Sequence, residues 1–395
     1  MKRWLIGLAA LAGLGPVGWL SLDRDLRSLI LTGPTDTEIL FWTDAQRDAG
    51  FRALDKLGWV AESRVIARGD TVRPLPAGEP LALDVDLEAY FSEQRVAGLV
   101  VLVDGQVLLE RYGLGFGPQG RWTSFSVAKS LTSTLVGAAL QDGAIRSLDD
   151  KVSAYIPDLA GSVYDDVTVR QLLTMTSGVA WNEDYADPQS DVARFNAHVA
   201  ADGVDATVGY MRGLSRMAPP GQQWRYNTGE TNLIGVLVSS ATGRPLADYL
   251  SDKIWAPFGM EQDATWLLGT TGHEISGCCI QASTRDMARF GLFVLGKGRI
   301  GERQVVPEGW FDQAATRQAD IGVPGRGYGF QWWTYDDGTF AAQGIFGQGI
   351  FIDPARQLVI ATNGNWPVAS ADEYWAGREA FYRAVQAAVE PVQPR

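Results

Sequence analysis

The amino-acid sequence predicts an α+β fold in which an antiparallel sheet is flanked by helices and carries an inserted all-helical lobe. Two observations predict it. Strand patterns occur near both ends of the chain, at residues 97–112 and 329–362, whereas the stretch from about 149 to 265 is helix-rich. Because strands need hydrogen-bonding neighbours and helices need an apolar face to cover, one sheet assembled from both ends satisfies this order.

The first strand pattern is a hairpin, with apolar runs on either side of Asp104-Gly105, a dipeptide typical of a type I′ turn. A helix is then predicted over Ser126–Gln141, and Gly143 stops it. Further helices are expected at 85–91, 167–174, 232–242, 247–255, 285–295 and 372–389, and later strands at 329–334, 339–346, 349–352 and 358–362.

Composition excludes several classes of function. The 395 residues are 46% hydrophobic and 20% charged, as in an ordinary globular protein with a substantial core. A net charge of −12 without a basic stripe excludes nucleic acid as a partner. The two cysteines, Cys278 and Cys279, are adjacent, so we expect no disulfide between them and no structural zinc site.

The N-terminal residues 1–22 combine Lys2 and Arg3 with an apolar run. We expect residues 4–22 to anchor the protein in the inner membrane, with the body in the periplasm; a cleaved signal peptide is the alternative, and both readings export the body. Residues 23–84 are predicted to be an irregular lead segment with a helical patch near 43–57. The main domain is expected over 85–390, with the helical lobe at 149–265 inserted in it.

Ser126 and Lys129 stand three residues apart at the head of an apolar helix, so they share one face of it. The start of a helix favours negative charge, and burial lowers the pKa of a lysine. A neutral lysine can accept the proton of a serine nucleophile. Since Ser-x-x-Lys also describes an ordinary helix start, the pattern alone is weak.

The scarcity of histidine narrows the choice of base. His198 and His273 are the two histidines of the sequence, and no Gly-x-Ser-x-Gly surrounds Ser126, so a Ser-His-Asp site is disfavoured. Lysine and tyrosine remain as bases. Tyr226, in a loop just before a helix, is suited to relay a proton between serine, lysine and leaving group.

Several short motifs together resemble the serine β-lactamase and penicillin-binding-protein superfamily, in its class C-like branch. The resemblance runs from about residue 85 to the C-terminus and is strongest to the 6-aminohexanoate-dimer (nylon-oligomer) hydrolases and their carboxylesterase relatives. It is carried by Ser126-Val-Ala-Lys129-Ser, Tyr155-Ile-Pro-Asp-Leu-Ala-Gly, Leu172-Leu-Thr-Met-Thr-Ser-Gly, Trp181-Asn-Glu-Asp-Tyr-Ala-Asp-Pro, Tyr226-Asn-Thr228, Pro257-Phe-Gly-Met and Gly344-Ile-Phe-Gly-Gln-Gly.

This resemblance implies a β-lactamase/transpeptidase-like fold and a serine hydrolase. Ser126 would be the acylated nucleophile, Lys129 its general base and Tyr226 the proton shuttle. The backbone N–H groups of Ser126 and Ile345 would form the oxyanion hole, and Thr228 would keep a polar contact with the substrate. The resemblance implies no metal and no organic cofactor.

Two departures from the family pattern bear on the substrate. The edge-strand motif falls at Ala342-Gln343-Gly344, where Gly344 is kept but Ala342 cannot hold a substrate carboxylate, which disfavours β-lactams. Trp181 stands where the nylon-oligomer hydrolases have a tyrosine near the scissile amide. We therefore expect a preference for esters over amides, with Trp181 lining an apolar acyl pocket; packing within the lobe is the alternative for Trp181.

The predicted function is hydrolysis of small carboxylic esters, with linear amides of the 6-aminohexanoate-oligomer type as a second substrate class. One alternative is a D,D-peptidase or class C-like β-lactamase acting on cell-wall peptides or β-lactams. Another is a non-catalytic binding or sensor module on the same fold. The expected partners are a small ester or amide substrate and, through the N-terminal segment, a membrane. The oligomeric state stays open, with a homodimer as one option.

Overall fold

The computed structural model describes residues 16–34, 38–58, 60–200 and 203–391. Its helices are α1 Pro16–Ser21, α2 Arg24–Thr32, α3 Asp44–Ala53, α4 Leu87–Glu93, α5 Ala128–Gln141, α6 Val169–Leu173, α7 Asp191–Asn196, α8 Ala206–Met211, α9 Thr228–Thr242, α10 Leu246–Leu250, α11 Ala256–Phe258, α12 Thr284–Leu295, α13 Trp310–Ala314 and α14 Asp372–Ala387. Its strands are β1 Ser63–Ile66, β2 Val96–Val103, β3 Gln106–Tyr112, β4 Trp122–Thr123, β5 Ala264–Leu267, β6 Ile280–Ala282, β7 Arg299–Ile300, β8 Arg303–Gln304, β9 Ala319–Asp320, β10 Arg326–Tyr328, β11 Trp333–Tyr335, β12 Phe340–Gln343, β13 Gly349–Asp353 and β14 Leu358–Gly364.

The main sheet is assembled from both ends of the chain, which confirms the predicted fold class. Its eight strands lie in the order β3-β2-β14-β13-β12-β11-β10-β9, and every neighbouring pair is antiparallel. The β2–β3 hairpin turns at Asp104 and Gly105 with positive φ angles of 47° and 76°, as a type I′ turn requires. The early hairpin therefore joins the late strands through the β2–β14 pair.

A second, four-stranded antiparallel sheet was not predicted. It has the order β1-β5-β6-β4, and its strands are two to four residues long. Strands this short carry too few residues to show an alternating pattern. The sheet matters for the site, because β4 ends immediately before Ser124.

Helix α5 runs through the core, and all its residues from Ala128 to Ala139 are buried. Its hydroxyl groups find backbone acceptors rather than water: Ser130 Oγ donates to the Gln331 carbonyl at 2.7 Å and Thr132 Oγ1 to the Ser276 carbonyl at 2.8 Å. Satisfied hydroxyls make burial of a partly polar helix tolerable. Helix α5 thereby fixes the position of the residues at its start.

Two of the strands predicted from the sequence have different bounds in the structure. The pattern at 329–334 spans the connection between β10 and β11, where Gln331 has a φ of 63° and Gly329 lies against the Ala314 carbonyl. The pattern at 339–346 stops at Gln343, because the chain turns into a 3₁₀ helix, Ile345–Gly347. In both places an apolar run continues after the backbone has left the extended conformation.

The lead segment contains α2, α3 and β1, with α3 in the predicted helical patch. Arg47, which lies in α3, is buried and binds the lead segment to the main domain. Its guanidinium donates to Asn365 Oδ1 at 2.9 Å and to the Pro367 carbonyl at 2.9 Å, and also to the Trp42 carbonyl at 2.6 Å. The segment is therefore packed onto the chain that follows β14.

The expectation of two unbridged cysteines is wrong for this structure, in which Cys278 and Cys279 form a vicinal disulfide. The left-handed backbone at Cys279, with a φ of 75°, turns the chain between the two side chains. The resulting loop packs under α5.

Most of the predicted anchor, residues 4–15, lies outside the described residues, and its described part is the short helix α1. Within the ranges given above, no helix combines the length and the hydropathy needed to cross a membrane.

Helix α9 carries a buried acid, Glu230. It accepts a hydrogen bond from Ser177 Oγ and one of 3.4 Å from the hydroxyl of Tyr164, and its other oxygen has no partner among the described side chains. Burial without a cation raises the pKa of Glu230 from 4.5 to about 8. The carboxyl is therefore mainly protonated in the folded protein at neutral pH.

Replacing Glu230 by glutamine should make stability less dependent on pH. Between pH about 5 and 8 the folded chain holds a proton that the unfolded chain has released, so the wild type loses stability as the pH rises through this window. Relative to wild type, Glu230→Gln should gain up to about 1.4 kcal/mol of unfolding free energy per pH unit. Urea denaturation at pH 5, 6.5 and 8 measures this. The exposed Glu302→Gln is the control, and an equal pH slope in wild type and Glu230→Gln would contradict the prediction.

Candidate active site

Ser126 lies in a single 3₁₀ turn, Phe125–Val127, between β4 and α5. The turn is held from below: the Ser124 amide donates to the Ile280 carbonyl at 2.8 Å, and the Ile280 amide donates to Ser124 Oγ at 3.0 Å. Phe125 adopts a positive φ of 42°. This bend presents Ser126, 8% exposed, on the wall of a cleft.

Lys129 lies one turn further, beneath Ser126. Its Nζ is 3.0 Å from Ser126 Oγ and 2.7 Å from the Gly277 carbonyl oxygen, and the residue is 1% exposed. Burial lowers the pKa of Lys129 to about 8, while the carboxylate of Glu183 opposes the shift. A substantial neutral fraction at mildly alkaline pH gives Ser126 a base within hydrogen-bond distance.

Tyr226 completes the group from the loop before α9. The Ser126 side chain is close enough to its hydroxyl to lower its pKa slightly, and its ring centroid lies 5.1 Å from Lys129 Nζ. Burial, followed by the charge of Glu183, raises the pKa of Tyr226 far above its ordinary value. The ring stacks on Trp333, with 5.6 Å between centroids. Tyr226 is thus held as a neutral phenol, suited to donate a proton, whereas Lys129 is suited to accept one.

The strand edge opposite Ser126 approaches it closely at Gly344. A Cβ at this position would lie 2.9 Å from the Ser124 carbonyl oxygen and 3.1 Å from the Ser126 amide nitrogen. Glycine therefore permits the contact. Ile345, which begins the next 3₁₀ helix, lines the same cleft as Ser126 and Gly344. Both predicted oxyanion donors, the amides of Ser126 and Ile345, belong to first turns, where N–H groups have no acceptor within the helix.

The cleft has a volume of about 780 Å³, within the range of small-molecule sites. Of the predicted site residues, it is lined by Ser126, Tyr226, Gly344 and Ile345, with Lys129 buried below.

The structure corrects the placement of Ala342. Its side chain is 1% exposed and belongs to the main core, because alternate residues of β12 face opposite sides of the sheet. The cleft is lined instead by Gln343, whose Nε2 donates to the Tyr335 hydroxyl at 2.8 Å. Ala342 therefore does not contact a substrate in this cleft.

Trp181 also lies behind the cleft rather than on its wall. It is 4% exposed and packs edge-on against Phe195 and Tyr210, at centroid distances of 6.0 and 6.2 Å. Its indole Nε1 donates to Glu183. This packing agrees with the alternative expectation, that Trp181 packs within the lobe, and removes Trp181 from the expected acyl pocket.

Tyr185 is a cleft residue that the sequence did not single out. It lines the cleft beside Ser126 and Tyr226. Burial and the nearby Glu183 carboxylate raise the pKa of Tyr185, which keeps it a phenol. The acidic and aromatic residues at 181–187 drew attention to this loop, but the sequence does not show which of their side chains face the cleft.

Glu183 organises this part of the site. Its carboxylate accepts hydrogen bonds from the Tyr185 hydroxyl at 2.6 Å, from the Thr228 amide at 3.0 Å and from Thr228 Oγ1. The Thr228 hydroxyl, predicted to contact substrate, is thus engaged by Glu183. The loop and the start of α9 are joined through one carboxylate, which also acts electrostatically on Lys129 and Tyr226.

The geometry agrees with comparisons with known proteins. The sequence profile of the beta-lactamase family matches residues 83–382. The chain belongs to the beta-lactamase family.

The 6-aminohexanoate-dimer hydrolase of Paenarthrobacter ureafaciens is 31% identical over 351 residues, covering 83% of this chain and 88% of that enzyme. Esterase EstB of Burkholderia gladioli is 25% identical, covering 76% of this chain and 94% of the esterase. Because the chain belongs to the beta-lactamase family and its relatives include a hydrolase and an esterase, the protein is a serine hydrolase.

Solved structures show the same fold. A Bacillus anthracis protein, provisionally assigned as a 6-aminohexanoate-dimer hydrolase, superposes with a TM-score of 0.76 at 23% identity, covering 87% of this chain and 94% of that one. The octameric penicillin-binding protein homologue from Pyrococcus abyssi gives a TM-score of 0.59 at 18% identity, covering 76% of each chain.

The activity of this serine hydrolase should rise with pH through the pKa of Lys129. Below about pH 8 the amine is protonated and cannot accept the Ser126 proton. With a neutral ester, kcat/KM should therefore fall as the pH decreases from 9 to 6. Lys129→Ala should lower it by at least about a hundredfold. A profile that is flat from pH 6 to 9 would argue against Lys129 as the base.

Glu183→Gln should shift the rise of kcat/KM with pH to a lower pH. The carboxylate favours the charged lysine, so its neutralisation lowers the pKa of Lys129 further. Asp184→Asn is the matched control, because Asp184 also lines the cleft but is not among the charges that shift the pKa of Lys129. An unchanged profile in Glu183→Gln, or a shift to higher pH, would exclude this coupling.

Proposed function

We propose that the protein hydrolyses small carboxylic esters, and linear amides as a second class, through an acyl-enzyme on Ser126. Ser126 Oγ attacks the carbonyl carbon while its proton passes to neutral Lys129. The amides of Ser126 and Ile345 bind the developing oxyanion. As the bond to the leaving group breaks, Tyr226 donates its proton to the departing oxygen or nitrogen and is reprotonated from Lys129. Water then attacks the acyl carbon and gives one proton to Lys129. As the bond between the acyl carbon and Ser126 Oγ breaks, Lys129 returns this proton to Oγ, which releases the acid and restores Ser126 and neutral Lys129.

The observation that carries this proposal is the separation of 3.0 Å between Lys129 Nζ and Ser126 Oγ at the wall of an open cleft. The lowered pKa of Lys129 and the raised pKa of Tyr226 divide the base and acid roles between them. A non-catalytic binding module would not require this combination.

Linear amides enter the proposal because a proton donor is present for the nitrogen. The expectation of an ester preference rested on the absence of a tyrosine at Trp181, yet the cleft contains the phenols of Tyr185 and Tyr226. The relationship to a 6-aminohexanoate-dimer hydrolase supports the same substrate class.

β-Lactams and cell-wall peptides are the less favoured substrates. A substrate carboxylate would need a cation in the cleft, and Arg326 lines it. The Arg326 guanidinium, however, is paired with the carboxylate of Glu379. Recruiting Arg326 would mean competing with that ion pair, so ester and neutral amide substrates fit the cleft better.

A fluorophosphonate probe should label the wild-type protein on Ser126, because an activated serine attacks phosphorus as it attacks a carbonyl. Peptide mass mapping identifies the residue. Ser126→Ala should abolish labelling, whereas Ser370→Ala, which removes another serine hydroxyl from the cleft wall, should retain it. An unlabelled wild type would overturn the proposed nucleophile.

An ester, a linear amide with the same acyl group and a fluorescent penicillin separate the substrate classes. We expect turnover of the ester, slower turnover of the amide and weak labelling by the penicillin. Strong penicillin labelling of Ser126 without ester turnover would favour the peptidase or β-lactamase alternative.

A further inference from the structure

Part of the cleft wall comes from outside the region that matches the family profile. Leu40 and Phe41 of the lead segment line the cleft, although the match begins at residue 83. Phe41 is 63% exposed. A large exposed aromatic side chain beside a reaction centre is a candidate contact for an apolar ligand.

A second group of apolar residues lines the same cleft from the connection between β14 and α14. Pro367, Val368 and Ala369 contribute to its wall, and Val368 is 48% exposed. The cleft thus has two apolar lips, one at Leu40–Phe41 and one at Pro367–Ala369.

Arg47 holds the two lips in a fixed relation. Its Nη1 donates at 2.6 Å to the carbonyl of Trp42, the residue directly after the first lip. Its Nη2 donates at 2.9 Å to the carbonyl of Pro367, within the second lip. Arg47 is itself 5% exposed. A buried, multiply bonded guanidinium restricts the movement of both backbones, so the lips form a groove before any ligand binds.

The groove is continuous with the reaction centre. The Phe346 amide donates to the Ala369 carbonyl at 2.9 Å, which ties the second lip to the residue after Ile345. Leu40, Ile345 and Ala369 also pack in one apolar cluster. A chain attached to a carbonyl at Ser126 can therefore leave the centre along apolar side chains.

We propose that these lips form a subsite for an extended apolar chain, and that Phe41 and Val368 determine specificity for substrates that carry one. The inference rests on the proposed ester and amide hydrolysis and names its substrate class. Apolar contact between the chain and the lips would replace contact with water, which favours longer chains.

Two series of esters test the proposal. One contains p-nitrophenyl esters with acyl chains from acetyl to octanoyl, and the other contains acetates of alcohols from ethanol to octanol. In at least one series, wild-type kcat/KM should rise by at least about tenfold from the shortest to the longest chain. The first series is followed by p-nitrophenolate absorbance and the second by pH-stat titration.

The variants locate the effect. Phe41→Ala and Val368→Ser should each lower kcat/KM for the longest ester, about five- to tenfold for the phenylalanine, and change the shortest by less than about twofold. Val65→Ser is the matched control, because Val65 is 53% exposed on β1 and does not line the cleft. It should leave both values unchanged.

The outcomes distinguish this inference from the function on which it rests. If the wild type hydrolyses no ester, the proposed function fails. If it hydrolyses short and long esters equally well in both series, the subsite is overturned while the function stands. Chain-length dependence that persists undiminished in Phe41→Ala and Val368→Ser would also overturn it.

Discussion

The burial of the Lys129 amine is the constraint on which the rest of the site depends. An ammonium group without water is costly, and the cost falls when the group gives up its proton. Nζ is within hydrogen-bond distance of two neutral oxygens, Ser126 Oγ and the Gly277 carbonyl, and among the described residues no carboxylate is in hydrogen-bond contact with it. Helix α5 can hold the lysine there because its neighbouring hydroxyls are satisfied by backbone carbonyls. The packing of helix α5 thus has two effects: it contributes to the core, and it buries the Lys129 amine, which lowers the pKa of that amine.

Glu183 limits how far burial lowers the pKa of Lys129. A fully desolvated lysine with no negative charge nearby would be a weak base, since a lower pKa also means a lower affinity for the serine proton. The Glu183 carboxylate offsets part of the shift from a position where neutral donors, the Tyr185 hydroxyl and the Thr228 amide, satisfy it. The same charge raises the pKa of Tyr226 and preserves its proton. One carboxylate therefore raises the pKa of both the base and the acid.

Of the predicted site residues, Ser126 and Lys129 follow from local geometry, whereas Tyr226, Gly344 and Ile345 were located through the family resemblance. Three-residue spacing on a helix places Lys129 beside Ser126 whatever the rest of the chain does. The placement of Ala342 was wrong because side-chain direction on a strand depends on register, and a shift of one residue exchanges core for cleft. For Trp181 the sequence left an acyl pocket and lobe packing open, since side-chain direction in an irregular loop depends on packing. The family resemblance located the motifs but not these directions. The second sheet and the Cys278–Cys279 bridge were beyond prediction for a related reason, since both depend on tertiary contacts of very short segments.

The proposed subsite would place substrate specificity partly in the lead segment, apart from the residues assigned to the chemistry. The contacts among Ser126, Lys129 and Tyr226 lie within the family-matched region, and none of the lead-segment residues that the structure describes takes part in them. Leu40 and Phe41 instead line the cleft from the residues before α3, and Arg47 of α3 holds the Trp42 carbonyl that directly follows them. Because Arg47 bonds to backbone carbonyls and Asn365 rather than to the catalytic groups, the lips can change in sequence without disturbing proton transfer. A cleft built in this way can accept different chains while the Ser126–Lys129 contact of 3.0 Å is preserved.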